Sequence, residues 1–389
     1  MTTEGSVTSD NTNEAVYLDS NATTPLELAV LQEMTHYLAV EFGNAGSRTH
    51  EYGQTAKSRV QRAREQVAAV VSAQPDEVVF TSGATESNNI ALLGLAPHGE
   101  SSAKRHLVTT QIEHKAVLEP LEQLQKRGFD VTFVPPTTGG WVDPEAVASA
   151  VQRDTLAVSV MHINNETGVR QPIGEIANLL RDHPAYLHVD AAQGFGKEFD
   201  DLSDPRIDLI SISGHKIFGP KGVGALITRR RGYKRPPLTP LAYGGGQERG
   251  LRPGTLPVPH IAGLGTAAQL AIDNHQARTD ACLKYRTDVL TALQELGAEF
   301  NGDLDRTVAH TVNVSIPGLD SEAAIVALKG SAAISNGSAC TSHSYEPSHV
   351  LTAMGLPADR VSSALRISWS HLTPATDWRG IRERINAVR

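Results

Sequence analysis

The chain has 389 residues, 40% of them hydrophobic and 20% charged, with a formal net charge of -8. At roughly 150 residues per domain this fits a globular protein of two or three domains with a sizeable core, and the acidic balance argues against direct binding to nucleic-acid phosphates. Cys282 and Cys340 are too few for a disulfide framework and point to a reducing, cytoplasmic compartment. No apolar run reaches the roughly 18 residues of a membrane helix.

In chain order, residues 1–13 are polar, lack an apolar core and read as a disordered leader rather than a signal peptide. Short β-branched runs then alternate with helical patterns. Strands are expected at Val78–Thr81, His106–Thr110, Val131–Val134, Leu156–Met161, Tyr186–Asp190, Asp208–Ser213 and Val223–Thr228. Helices are expected between several of them, at Glu86–Leu95, Val117–Arg127 and Ile173–Arg181. This rhythm predicts an α/β domain with a mostly parallel sheet. The basic run Arg229 to Arg235 reads as a solvated loop, or as a docking patch for an acidic partner. After Pro257 and Pro259 a long helical stretch runs over Ile261–Leu296. A second block follows: strand His310–Ile316, helix Ser321–Lys329, strand Ser331–Ser335, a helix near Pro347–Met354, strand Leu365–Trp369 and a closing helix near Asp377–Val388. That block predicts a smaller α+β domain. The expected boundaries are 14–28 for a segment joining the small domain, 29–270 for the large domain and 271–389 for the small one.

Chemistry concentrates at strand ends. Asp190 closes one predicted strand and Lys216 follows another in Ser213-Gly214-His215-Lys216. Both therefore sit where α/β sheets place ligands. A Schiff-base lysine with a carboxylate to protonate a pyridine nitrogen is what pyridoxal 5'-phosphate chemistry needs. Lys115, after His114, is a rival that lacks the Ser-Gly turn. His114 is then left to stack on the ring. Thr81 to Asn89 joins a strand to a helix through small residues, so Ala84 and Thr85 can close on a phosphate at the helix start, with Ser213 and His215 as further donors. Cys340 lies in a small, polar stretch and suits a nucleophile, because the thiolate is the reactive form. Cys282 lies on a predicted helix and reads as structural. Arg366, inside an apolar strand, needs an anion: a substrate carboxylate or a structural salt bridge. No metal is expected.

Six ordered motifs then carry a family resemblance: Gly83 to Asn89, Glu113-His114-Lys115, Met161 to Glu166, His188 to Gln193, Ser213 to Lys216, and Gly337-Ser338-Ala339-Cys340. From about Val16 to Trp369 the chain resembles a group I, NifS/IscS-like cysteine desulfurase of the pyridoxal-phosphate fold type I. Within that group it looks most like the DndA branch, which supplies sulfur for DNA phosphorothioation. Phe42 to Arg48, Leu93 to Pro97, Gly244 to Pro259 and Cys340 to Leu351 carry the closer match. The resemblance implies Lys216 as the cofactor lysine, Asp190 on the ring nitrogen, Gln193 on the ring hydroxyl and His114 stacked on the ring. It implies Ala84, Thr85, Ser213 and His215 on the phosphate, and Thr255 reaching it from a partner subunit, so a homodimer. Asn165 and Arg366, together with Asn44, would bind the carboxylate of L-cysteine. Cys340 would take the sulfur as a persulfide and pass it to an acceptor protein, leaving alanine.

Three other readings stay open. The same chemistry serves iron–sulfur assembly or tRNA thiolation, though the chain ends at Arg389 with no counterpart of the scaffold-docking tail of housekeeping members. A different pyridoxal-phosphate reaction, such as transamination or selenocysteine lysis, is a second. A binding protein that keeps the cofactor without turnover is the third, and retention of both Lys216 and Cys340 argues against it.

Overall fold

A computed structural model describes residues 15–337 and 347–389. The chain enters on β1 (Val16–Tyr17) and passes through α1 (Leu28–Ala39) and α2 (Glu51–Val70) before reaching the central sheet. β2 (Val78–Thr81), α3 (Ala84–Ser101), β3 (His106–Thr110), α4 (Lys115–Lys126), β4 (Asp130–Val134), α5 (Pro144–Ala150), β5 (Thr155–Met161), α6 (Ile173–Leu179) and β6 (Tyr186–Asp190) follow in strict alternation. β7 (Leu209–Ser213) and β8 (Gly224–Thr228) complete the sheet. α7 (Val258–Asp273) and α8 (His275–Gln294) lead to β9 (Glu299–Phe300), β10 (Thr311–Ser315), α9 (Ser321–Ala327) and β11 (Ala332–Ala333). α10 (His349–Ala353), α11 (Ala358–Ser362), β12 (Ala364–Ser368) and α12 (Trp378–Asn386) close the chain.

The central sheet has seven strands in the order β2-β8-β7-β6-β5-β3-β4. β8 runs antiparallel to both neighbours; the other pairings are parallel. β2, β3, β5, β7 and β8 are buried along their whole length. Such strands read as unbroken apolar runs because helices cover both faces. The expected α/β fold with a mostly parallel sheet is what forms. A three-stranded antiparallel sheet, β12-β10-β9, makes the second block, and β1 pairs in parallel with β11.

Three expectations change. The single helix over Ile261–Leu296 is two helices, broken at Asn274, whose carboxamide donates to the Leu270 carbonyl at 3.1 Å and closes the last turn of α7. The break lets the chain change cores: Ile261, Leu264 and Ala268 of α7 join the core of the large sheet, whereas Cys282, Val289 and Leu293 of α8 join the C-terminal core. The strand at Ser331–Ser335 is only the two residues of β11. The basic run is a surface turn, with residues 230–234 exposed, but its arginines are engaged by the chain itself rather than left to solvent. Arg229 is buried and donates to the carbonyls of Leu202 and Asp204, each at 2.7 Å. Arg231 pairs with Asp208 at 2.6 Å, and Arg230 and Arg235 both pair with Asp76. The run ties β8 back onto the sheet's rim. Among the described residues no helix is long and apolar enough to cross a membrane.

Candidate active site

A cavity of about 600 Å³ opens at the carboxyl ends of the parallel strands, where the geometry of such sheets leaves a crevice. Asp190, Ser213, His215, Lys216, Ala84, Thr85, His114, Asn165, Gln193 and Arg366 all line it. Ten residues read from separate motifs thus meet in one place. Asn44 and Thr255 are not brought into it; both are exposed, and the Asn44 side chain accepts from the Gly46 N–H at 2.8 Å. Cys340 and the leader 1–13 lie outside the described residues. Gly337, the last described residue before Cys340, is on the cavity wall.

Each group is held by a distinct local device. β6 delivers Asp190, which is 5% exposed. Its Oδ2 accepts from Asn88 Nδ2 at 2.7 Å and its Oδ1 from the Ala192 N–H at 2.9 Å. Two donors fix the orientation of the buried carboxylate. β7 ends at Ser213, and a single 3-10 turn, Gly214–Lys216, swings the lysine into the cavity. The turn is tight: a Cβ on Gly214 would stand 3.0 Å from the Pro220 carbonyl oxygen. Lys216 Nζ donates to the carbonyls of Asn21 at 2.5 Å and Ala22 at 2.7 Å. Burial, then the nearby charges of Lys197 and Arg366, push the Lys216 pKa down to about 7. Burial, together with the Lys216 charge, also takes His215 down to about 4, so His215 is neutral, and its Nδ1 lies 3.1 Å from Thr23 Oγ1.

The N-terminus of α3 opens onto the cavity. Gly83 takes φ +153°, a region that favours glycine, and carries the chain from β2 into the helix. The first-turn N–H groups of a helix have no intrahelical partner and point at whatever sits beyond it. Glu86 tightens this turn by accepting from the Ser82 N–H, and Arg252 pairs with it at 3.1 Å. His114 caps α4, its Nδ1 accepting from the Ala116 N–H at 3.1 Å, which leaves Nε2 to carry the ring proton. Burial lowers its pKa, so the ring is neutral at pH 7.

Arg366 makes the structural salt bridge that was one of its two expected roles. Nη2 pairs with Asp19 at 2.6 Å and Nη1 donates to the Asn165 carbonyl at 2.9 Å, while Nε has no partner. The Oδ1 of Asn88 and the Oε1 of Gln193 are likewise buried without partners. Three orphaned polar atoms around one cavity indicate a ligand with both donors and acceptors. Lys115, the rival lysine, starts α4 and does not line the cavity.

Sequence reading overlooked three participants. Asn88 orients Asp190. Asn21 accepts from Lys216 and Gln193 and anchors to Thr311 and Ser368. Asp19 shares Arg366. Asn88 lay inside a quoted motif; Asn21 and Asp19 lie in a segment without strand or helix pattern, and only contacts across about 350 residues reveal them.

Comparison with known proteins agrees with this geometry. The aminotransferase class-V family model matches residues 16–377. The cysteine desulfurase IscS of Vibrio cholerae serotype O1 is 45% identical over 361 residues, covering 92% of this chain and 88% of that protein. The crystal structure of DndA from Streptomyces lividans is 53% identical, with a TM-score of 0.80 over 91% of this chain and 99% of that one. A structure of SspA in complex with cysteine is 37% identical, with a TM-score of 0.81 over 92% and 100% of the two chains. The chain belongs to the aminotransferase class-V family and, within it, to the IscS- and NifS-like cysteine desulfurases.

Proposed function

We propose that the protein takes sulfur from L-cysteine with pyridoxal 5'-phosphate held at Lys216, receives it on Cys340, and supplies it for DNA phosphorothioation. The observation that carries the desulfurase reading is the convergence of Lys216, the doubly held Asp190 carboxylate and Gly337, through which the chain enters the segment bearing Cys340, on one cavity. The cavity's size, its orphaned Gln193, Asn88 and Arg366 atoms and the free N-terminus of α3 fit the cofactor's phosphate, hydroxyl and charged ring. The cofactor, when bound, supplies an electron-accepting ring beside the substrate α-carbon.

The protein's residues do the rest. Ala84 and Thr85 at the start of α3, with Ser213 and His215, hold the phosphate. Asp190 keeps the ring nitrogen protonated, and Gln193 Oε1 accepts from the ring hydroxyl. Arg366, through its unused Nε, and Asn165 bind the cysteine carboxylate. Lys216, with its amine free, would remove the α-proton; a pKa near 7 leaves a neutral fraction ready to do so at neutral pH. The Cys340 thiolate attacks the substrate sulfur; the Cβ–S bond breaks, its electrons return to the carbon skeleton, and Cys340 holds the sulfur as a persulfide. His114, neutral and proton-bearing on Nε2, moves protons at that step. Alanine leaves after protonation.

Cys340→Ala should abolish sulfide release from L-cysteine yet keep the visible absorbance of bound cofactor. Full turnover in that variant would reject Cys340 as the sulfur acceptor. Lys216→Ala should lose that absorbance; its persistence would bring Lys115 back.

Similarity to DndA at 53% identity, against 45% for IscS, favours phosphorothioation over iron–sulfur or tRNA supply. Deleting the gene should remove sulfur-dependent cleavage of the host's DNA. Unchanged modification would turn the reading to the iron–sulfur or tRNA alternative. A homodimer is supported by several large apolar side chains left exposed, Leu28, Leu38, Tyr243 and the stacked pair Phe42 and Tyr52, 53–82% exposed. Thr255 is itself exposed, in the irregular segment between β8 and α7 that also carries Tyr243, in keeping with its reaching a partner's phosphate site. The division into domains at 270/271 is supported by the change of cores near Asn274.

A further inference from the structure

A second, smaller cavity of about 50 Å³ lies where the N-terminal segment, the loop after β6 and α8 meet the C-terminal sheet. Ser20, Lys197, Phe218, Arg278, Cys282 and His310 are among its walls. Nothing in the desulfurase reading uses it. Two polar atoms in its wall are buried with no hydrogen-bond partner: Lys197 Nζ and the hydroxyl of Ser20, a residue only 2% exposed. We propose that this cavity binds a small monovalent inorganic anion of halide size, held by the Lys197 ammonium and the Ser20 hydroxyl.

Charge balance decides between an anion and a water. A water would satisfy Ser20 but leave the ammonium with no direct anionic partner, only the more distant charge of Glu198, which a buried site tolerates poorly. The acidic groups in reach are already committed. Glu27 pairs with Arg278 at 2.7 Å and with His371 at 3.1 Å. Glu198 pairs with Arg170 at 3.2 Å. Burial pushes the Cys282 thiol up to about 11, so it is no anion at neutral pH. His310 adds no negative charge; burial and the Lys197 charge keep it neutral. Lys197 itself is pushed down by burial only to about 8, so it is still charged at pH 7. Both unpartnered atoms are donors to an anion. The cavity exceeds the roughly 10–15 Å³ that a single water-sized guest requires but has no room for a nucleotide or sugar.

An anion here has a route to function. The Lys197 charge is the second largest influence lowering Lys216, after burial; Arg366 acts in the same direction, and Asp19 and Asp190 oppose it. Neutralising Lys197 therefore makes Lys216 a stronger base.

Thermal unfolding of the full-length, cofactor-loaded protein in sodium chloride and in sodium methanesulfonate, at equal ionic strength, tests the site. The melting temperature should rise saturably with chloride only, as expected of a ligand that binds the native state. Lys197→Gln should flatten the chloride response, and Ser20→Ala should move its half-saturation to higher chloride. Crystals soaked in bromide should show an anomalous peak beside Lys197. Coincident melting curves in the two salts would overturn the proposal and leave the cavity to water. A bromide peak that persists in Lys197→Gln would mark an adventitious ion only and would also overturn it. If Lys197→Gln does not fold, Ser20→Ala still decides: an unchanged half-saturation rejects the site. Because the melting readout does not depend on turnover, its failure would leave the desulfurase reading standing.

Discussion

Lys216 shows how burial converts a common side chain into a base. Removed from water and set near Lys197 and Arg366, it holds its proton weakly, and the carbonyls of Asn21 and Ala22 aim it. Motif reading found Lys216 and Asp190 because strand ends and a Ser-Gly turn are local signals. It could not find Asn88's bond to Asp190, which joins residues 102 positions apart. Asn88→Ala should leave the Asp190 carboxylate with one donor and weaken cofactor affinity about tenfold, the worth of one charge-assisted hydrogen bond; a fluorescence titration with cofactor measures this. Glu113 is another residue whose meaning needs the fold. Fully buried behind His114, its carboxyl is pushed up by burial to about 8, with Oε2 unpartnered. Its folded pKa exceeds its unfolded value of about 4.3. The folded chain therefore binds more protons than the unfolded one between about pH 4 and pH 8, and stability falls as pH rises through that window. Glu113→Gln removes this loss, so its stability relative to the parent should improve from pH 5 to pH 8 in urea melts. An equal difference at both pH values would contradict the assignment.

At the scale of elements, the parallel strands were readable because each is a short apolar run. α1 and α2 were not, and the reason is physical. α1 buries only Val30 and Met34, so its apolar residues do not form the inward stripe that marks a surface helix. α2 packs through small residues: Ala63 lies so close to α7 that a Cβ on Gly265 would stand 2.6 Å from its Cα. A helix that packs through alanine and glycine carries little hydrophobic signal. The long helix over Ile261–Leu296 was misread for a different reason, since no Pro or Gly marks the change of direction at Asn274 and helix-compatible residues flank it on both sides. The junction of β2, α3 and β8 is similarly close. A Cβ on Gly224 would stand 2.3 Å from the Ile212 carbonyl oxygen and 2.7 Å from Gly83 Cα. Both neighbours are backbone and cannot swing away. Gly224→Ala should therefore cost about 1–3 kcal/mol in a denaturant titration and displace Gly83 from the start of α3, weakening phosphate binding as well.

At the scale of the molecule, the proposed dimer makes a prediction a monomer cannot. Mixed dimers of Lys216→Ala and Thr255→Ala would contain one site with both residues intact if Thr255 acts across the interface. The one remaining Lys216 site of every such hybrid should then bind cofactor as tightly as the parent, while the Thr255→Ala homodimer binds it more weakly; equal weakening in hybrid and homodimer would place Thr255 in its own subunit's cavity. The N-terminal segment has a different consequence. Leu18 bonds to Ala333, Asn21 to Ser368 and Thr24 to His215, so residues at the front of the chain stitch its last strand to its lysine turn. During synthesis those residues leave the ribosome first and find their partners last, after some 350 more have been added. The large sheet can form while translation continues, but Lys216 stays unaimed until Ser368 has emerged. Until then the nascent chain holds a nearly finished sheet and a lysine not yet aimed by its carbonyl partners, so a chain cut short before Ser368 should not react with cysteine.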